Sequence, residues 1–212
     1  MARCLRSSGY AVVGVDLAEQ DTDLSFVGDV SDARFVHVAV SRAERELGPI
    51  DSVISVAGYY EMIPFSEISD DQWHRMLQVH LGGLTNVVRS TLPGMLERGC
   101  GSIVAISSEI AIGGGDQDAH YAAAKGAILG FVRSLAVEVA PKGIRVNAVA
   151  PGPCDTPLLG IDSELKDCAY LDTLPARQLA QPDEIAVAVQ YLLDDTSFAF
   201  GEVISVNSGA VI

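Results

Sequence analysis

The stretch Ser102-Ile-Val-Ala-Ile-Ser-Ser-Glu-Ile-Ala-Ile-Gly-Gly-Gly-Asp-Gln-Asp-Ala-His-Tyr-Ala-Ala-Ala-Lys125 decides the fold. Its first seven residues are an apolar run bounded by serines, without the alternation of a strand that has one wet face. A run of that kind predicts a strand buried on both sides. Its last residues open an alanine-rich helix, and Gly113-Gly-Gly115 between them reads as a flexible turn. Working outward, the same alternation of short apolar runs and longer helical patterns fills the chain. Strands are predicted over 10–16, 24–27, 52–56, 102–107, 144–150 and 202–206, and helices over 3–8, 33–47, 70–96, 121–140 and 182–193. Non-alternating strands separated by helices imply a parallel sheet covered on both faces, a doubly wound, Rossmann-like α/β fold. Residues 156–181 break the rhythm with Pro157, Gly160 and Pro175. They are expected to form an excursion over the carboxyl edge of the sheet, where such folds bind ligands.

The chain has 212 residues, 49% of them hydrophobic and 20% charged, with neither repeats nor a linker. It is expected to be a single domain. A formal net charge of -14 argues against nucleic acid and anionic membranes as partners. Cys4, Cys100, Cys154 and Cys168 are scattered, with no C-x-x-C pair, so neither a disulfide frame nor a metal site is expected. No apolar stretch reaches the ~18 residues of a membrane span, and no signal-like segment opens the chain. The expectation is a soluble, cytoplasmic protein.

Within the opening stretch, Ser108 ends the strand, and Tyr121 and Lys125 stand four residues apart on the helix. That offset places both side chains on one face, one turn apart. A tyrosine hydroxyl titrates near ~10 and is a poor base at neutral pH, but a neighbouring ammonium favours its phenolate. A serine hydroxyl can hold a carbonyl or alkoxide oxygen. The three together can move a proton on or off an oxygen. Glu109, beside Ser108, is a candidate for substrate contact.

Other motifs sit at predicted strand ends. Asp16 ends Val12-Val-Gly-Val-Asp16; at that tip an acid can accept hydrogen bonds from a ribose, and it reads equally as a turn or cap aspartate. Gly28-Asp29-Val30 follows the next strand, where Asp29 could reach an adenine amino group. Ser55-Val56-Ala57-Gly58 offers small residues for close approach of a ligand to the backbone. Pro151-Gly152-Pro153-Cys154-Asp155-Thr156 joins a turn to a threonine hydroxyl.

Taken together, Asp16, Gly28-Asp29-Val30, Ala57-Gly58, Ser108, Tyr121-x-x-x-Lys125, Pro151-Gly152 with Thr156, and Glu202-Val-Ile-Ser-Val-Asn-Ser-Gly209 resemble the short-chain dehydrogenase/reductase family over essentially the whole chain. The resemblance implies a nicotinamide-dependent oxidoreductase acting on a secondary alcohol or its ketone. It implies that Tyr121 is the general acid/base, that Lys125 lowers its pKa and holds the nicotinamide ribose, and that Ser108 positions the substrate oxygen. Cofactor contacts would come from Asp16, Asp29, Val30, Val56, Ala57, Gly58, Tyr121, Lys125, Pro151, Gly152, the backbone of Cys154, and Thr156. Asp16 points to NAD(H) over NADP(H). The partners implied are a small alcohol or ketone and further copies of this chain, as a tetramer or dimer. The substrate would be a hydroxylated ring or a 3-oxoacyl or 3-hydroxyacyl unit.

The sequence departs from the family in three places. The opening strand and glycine-rich, pyrophosphate-binding turn are absent, because Met1-Ala-Arg-Cys-Leu-Arg-Ser-Ser-Gly9 leads straight into the strand carrying Asp16. By the family's strand order, the missing strand would lie between those ending at Asp16 and Val56. The expectation is that the true start lies upstream, and that a chain beginning at Met1 binds NAD poorly. His80 holds the place of an asparagine that the family uses in a proton relay; imidazole can also relay, and His80 reads equally as a helix-packing residue. Val56 replaces a second asparagine. Two rivals remain: a non-catalytic oligomeric member that has lost dinucleotide binding, and a dehydratase or epimerase on the same scaffold.

Overall fold

The strands of the computed structural model lie on the short apolar runs of the sequence. Residues 1–159 and 164–211 are described. Along them the elements are α1 (Ala2–Ser7), β1 (Val13–Asp16), β2 (Leu24–Val27), α2 (Ala33–Leu47), β3 (Ser52–Ser55), α3 (Asp70–Leu77), α4 (Gly83–Arg98), β4 (Gly101–Ile106), α5 (Ile110–Gly113), α6 (Ala119–Val139), β5 (Ile144–Pro151), α7 (Cys168–Leu171), α8 (Pro182–Leu193) and β6 (Val203–Val206). Every paired strand is parallel to its neighbour. The protein is therefore a parallel α/β fold, and all its strand C-termini with functional motifs face one edge.

β3-β4-β5-β6 form a four-stranded sheet, and β1-β2 form a separate two-stranded one. β4 and β5 are buried on both faces: Ile103, Val104, Ala105, Val146, Ala148 and Val149 have no exposed surface. On one face Ile103, Ala105 and Val146 pack with Leu84 and Val88 of α4 and with Ile128 and Val132 of α6. On the other, Val104 and Val149 pack with Ile185, Val189 and Leu192 of α8 and with Leu5 of α1.

Local chemistry fixes the helix starts. The Asp32 carboxylate accepts from the Arg34 and Phe35 amides at the head of α2, and Ser69 and Gln72 form a capping box on α3. The single helix expected over 70–96 instead divides: α3 and α4 are joined by a π-helical turn over Gln78–Gly82. Gly83 follows this turn against Val30, where a Cβ would come within 2.7 Å of the valine Cγ2. The 156–181 excursion is pinched at its base by the Cys154–Ala180 bridge and by hydrogen bonds between Asp155 N and Ala180 O (3.0 Å) and between Ala180 N and Pro153 O (3.1 Å). It carries α7 and short 3-10 turns at Pro157–Leu159 and Glu164–Lys166; residues 160–163 of it lie outside the described residues. Among the described residues, no helix is long and apolar enough to cross a membrane.

Candidate active site

Ser108, Tyr121 and Lys125 converge where β4 ends against the first turns of α6. All three are buried. Two bonds tie the elements together: the Ser107 hydroxyl donates to the Lys125 carbonyl at 2.9 Å, and the Lys125 ammonium donates to the Ile106 carbonyl at 2.8 Å. Lys125 Nζ lies 5.7 Å from the centre of the Tyr121 ring. Small residues allow this approach, since Ala124 beside Lys125 is fully buried.

Burial pushes the Tyr121 hydroxyl up to about 12, while a hydrogen bond from Ser108 works in the opposite direction. Desolvation of the phenolate, reinforced by the Asp118 charge, dominates the shift. Lys125 is itself brought down to about 8 by burial. Tyr121 thus keeps its proton through the neutral range beside an ammonium that is close to losing one.

His80 joins the same cluster through the π-helical turn, which widens the helix by one residue and aims the imidazole inward. Its ring meets Tyr121 edge-on, with 5.5 Å between centroids. Nε2 sits between the Tyr59 carbonyl oxygen at 2.9 Å and the Tyr59 amide, which donates to it at 3.3 Å, while Nδ1 is buried without a hydrogen-bond partner. Burial and the Lys125 charge hold His80 down to about 4, as a neutral ring.

Sequence reasoning missed four residues here. Tyr60 packs edge-on against Tyr121 at 5.0 Å and hydrogen-bonds Asp118, whose carboxyl is raised by burial. His120 is buried with both ring nitrogens unpartnered, and its Nε2 lies 4.0 Å from Glu61 Oε2. The available signal was position: Tyr60 and Glu61 follow Gly58 past a strand end, and Asp118 and His120 just precede Tyr121.

The other motif residues line the same edge. Asp16 is exposed at the tip of β1, its carboxylate accepting from the Ala18 amide at 3.3 Å. Val56, Ala57 and Gly58 are exposed past β3. Asp29 is not free: Arg75 holds one of its oxygens at 2.7 Å and the Ser31 amide the other at 2.8 Å. Val30 is anchored through its carbonyl, which accepts from Asn86 Nδ2 at 3.0 Å. Pro151 ends β5, and the Gly152 amide donates to Val206 O at 3.0 Å. Thr156 Oγ1 donates to the Cys154 carbonyl at 3.4 Å. A Cβ at Gly152 would come within 2.8 Å of Asn207 Cα and 2.9 Å of Glu109 Oε2. This cradle exists only because position 152 has no side chain. An open shelf at Val56–Gly58, a free acid at Asp16 and a side-chain-free Gly152 fit a dinucleotide laid along the edge.

Comparison with known proteins agrees with this architecture. The family described as enoyl-(acyl carrier protein) reductase matches residues 1–211. An acetoacetyl-CoA reductase of Shinella zoogloeoides is 34% identical, over 97% of this chain and 90% of the relative. A cis-4-hydroxycyclohexanecarboxylate dehydrogenase of Sinomonas cyclohexanicum is 35% identical, over 98% of this chain and 89% of the relative. The crystal structure of gox2181 superposes with a TM-score of 0.90 at 30% identity, over 98% of this chain and 88% of that one. The chain belongs to the short-chain dehydrogenase/reductase family, oxidoreductases that work with a nicotinamide cofactor.

Proposed function

We propose that this protein is an NAD(H)-dependent oxidoreductase that interconverts a secondary alcohol and its ketone. The observation that carries the reading is the buried convergence of Ser108, Tyr121 and Lys125 at the end of β4. The nicotinamide, when bound, gives or takes the hydride at the carbinol carbon. In the reducing direction Ser108 and Tyr121 hydrogen-bond the ketone oxygen, and Tyr121 delivers its proton as the alkoxide forms. In the oxidising direction Tyr121 takes the alcohol proton, and Lys125 stabilises the phenolate that must exist beforehand. His80, neutral and with Nδ1 free, can pass a proton onward from this cluster. Pro151, Gly152, Cys154 and Thr156 hold the nicotinamide end. Asp16 holds the adenosine ribose, and its negative charge disfavours a 2′-phosphate. Val30, Val56, Ala57 and Gly58 line the path between, while Asp29 contributes through the geometry that Arg75 imposes on it.

The names of the relatives support a 3-oxoacyl unit or a hydroxylated ring as substrate. The reading extends to a cytoplasmic homo-oligomer, a dimer or tetramer: Val137 on α6 and Phe198 beyond α8 are 79% and 92% exposed, apolar surface that self-association would cover. The test compares the natural chain with Tyr121→Phe, using acetoacetyl-CoA and cis-4-hydroxycyclohexanecarboxylate as substrates. Turnover should fall by about 10²–10⁴-fold, with NADH affinity unchanged by fluorescence titration and NADPH bound more weakly than NADH. Equal turnover in the two proteins would overturn the reading.

A further inference from the structure

Glu109 directly follows Ser108 and is only 7% exposed. Its Oε2 is sealed from water and has no hydrogen-bond partner, and among the described residues no cation pairs with the carboxyl. The backbone is pinned, since the Glu109 amide donates to the Pro151 carbonyl at 2.9 Å. The side chain stands over the cradle left by Gly152, whose missing Cβ would lie 2.9 Å from Oε2. Tyr170 of α7, on the excursion, is raised by burial and, to a smaller degree, by the Glu109 charge. Burial alone pushes Glu109 up to about 7. A buried carboxyl without a partner destabilises a fold, so its retention beside the oxygen-binding serine calls for a ligand group that hydrogen-bonds it.

We propose that Glu109 is a specificity-determining residue that accepts a hydrogen bond from a second hydroxyl of the substrate, carried next to the reacting carbinol. Within the hydroxylated-ring reading, the preferred substrates are then vicinal diols or the corresponding hydroxyketones over singly hydroxylated rings. This rests on the oxidoreductase reading above. Ser108 and Tyr121 take the reacting oxygen, and Glu109, one residue along, reads its neighbour. A site built to hydrogen-bond a hydroxyl rejects the analogue lacking it far more strongly than an apolar pocket rejects an added group.

The test uses the full chain with NAD, and cis-1,2-cyclohexanediol against cyclohexanol, in the natural protein, Glu109→Gln and Glu109→Leu. The diol should exceed cyclohexanol at least tenfold in kcat/KM in the natural protein. Glu109→Gln, which keeps an acceptor oxygen, should retain most of that ratio, and Glu109→Leu should bring it close to one. An unchanged ratio in Glu109→Leu overturns the inference. So does a loss of NADH affinity in both variants with the ratio intact, which would put the carboxyl on the cofactor. Should neither alcohol be turned over by any form, and acetoacetyl-CoA not be reduced either, the oxidoreductase reading fails instead. Thermal shift with NADH present then decides: stabilisation by the diol in the natural protein but not in Glu109→Leu supports the site, and equal shifts overturn it.

Discussion

Among the described residues, no carboxylate pairs with the Lys125 ammonium. Its hydrogen bond goes to the Ile106 carbonyl, and burial brings it down to about 8. The sign of the resulting pH dependence follows directly. Below about 8 the ammonium stands beside Tyr121 and stabilises the phenolate left after proton delivery; above it, the side chain becomes neutral and that support disappears. Tyr121, held up at about 12, stays protonated throughout. Ketone reduction should therefore be flat in kcat/KM to about pH 7 and fall above pH 8. Lys125→Met should lower kcat/KM by roughly 10²-fold and abolish the limb near pH 8. A pH–rate series on both proteins checks this, and a limb that survives in Lys125→Met would assign it to another group.

The element that shapes the site is the wide turn between α3 and α4, which the sequence pattern reads as one helix. Gly58 at the end of β3 depends on it. A Cβ there would lie about 2.3 Å from His80 Cε1, so Gly58→Ala should drive the imidazole off the Tyr59 carbonyl. The expected loss is about 1–3 kcal/mol, the range for overpacking a filled site. Adding His80→Ala should restore much of it, because the two changes share one clash. Thermal melts of the four proteins measure the coupling, and strictly additive effects would rule out the contact as the cause. The same contrast marks what a sequence can convey. Strands 24–27 and 144–150 and helices 33–47 and 182–193 are legible because their runs are continuous and Asp32 and Pro182 mark the starts. The π-helical turn leaves only the pair Gly82-Gly83 as a trace. Ser108, Tyr121 and Lys125 are legible through spacing. His120, Asp118 and Tyr60 are not, since their importance depends on which way each side chain turns in three dimensions.

At the scale of the molecule, stability should be unevenly shared between the two sheets. β4 and β5 are hydrogen-bonded on both sides and sealed by helices on both faces. β1 and β2 form a two-stranded ribbon whose residues are half-buried or exposed, and an isolated pair of strands is marginal on its own. The ribbon is held by the bonds between β1 and β2, by α2 packing onto α4, and by the Arg6–Asp21 and Arg6–Asp23 ion pairs at the surface, which contribute little. Asp16 stands at its tip, so the residue proposed to select the cofactor ribose sits on a lightly secured strand. Local opening free energies range from near zero to the global value within one fold. Backbone amides of Val13–Asp16 and Leu24–Val27 should accordingly exchange with deuterium at least ~30-fold faster than those of Ile103–Ile106 and Val146–Val149, a gap of about 2 kcal/mol. Saturating NADH, under the proposed pose from Asp16 on β1 to Thr156 beyond β5, should narrow the gap, because a ligand so placed binds the closed form and not the opened one. Exchange measured with and without NADH tests both halves. Equal protection of the two sheets would mean that the ribbon is secured by the helices alone, and a gap that NADH leaves untouched would remove Asp16 from the cofactor site.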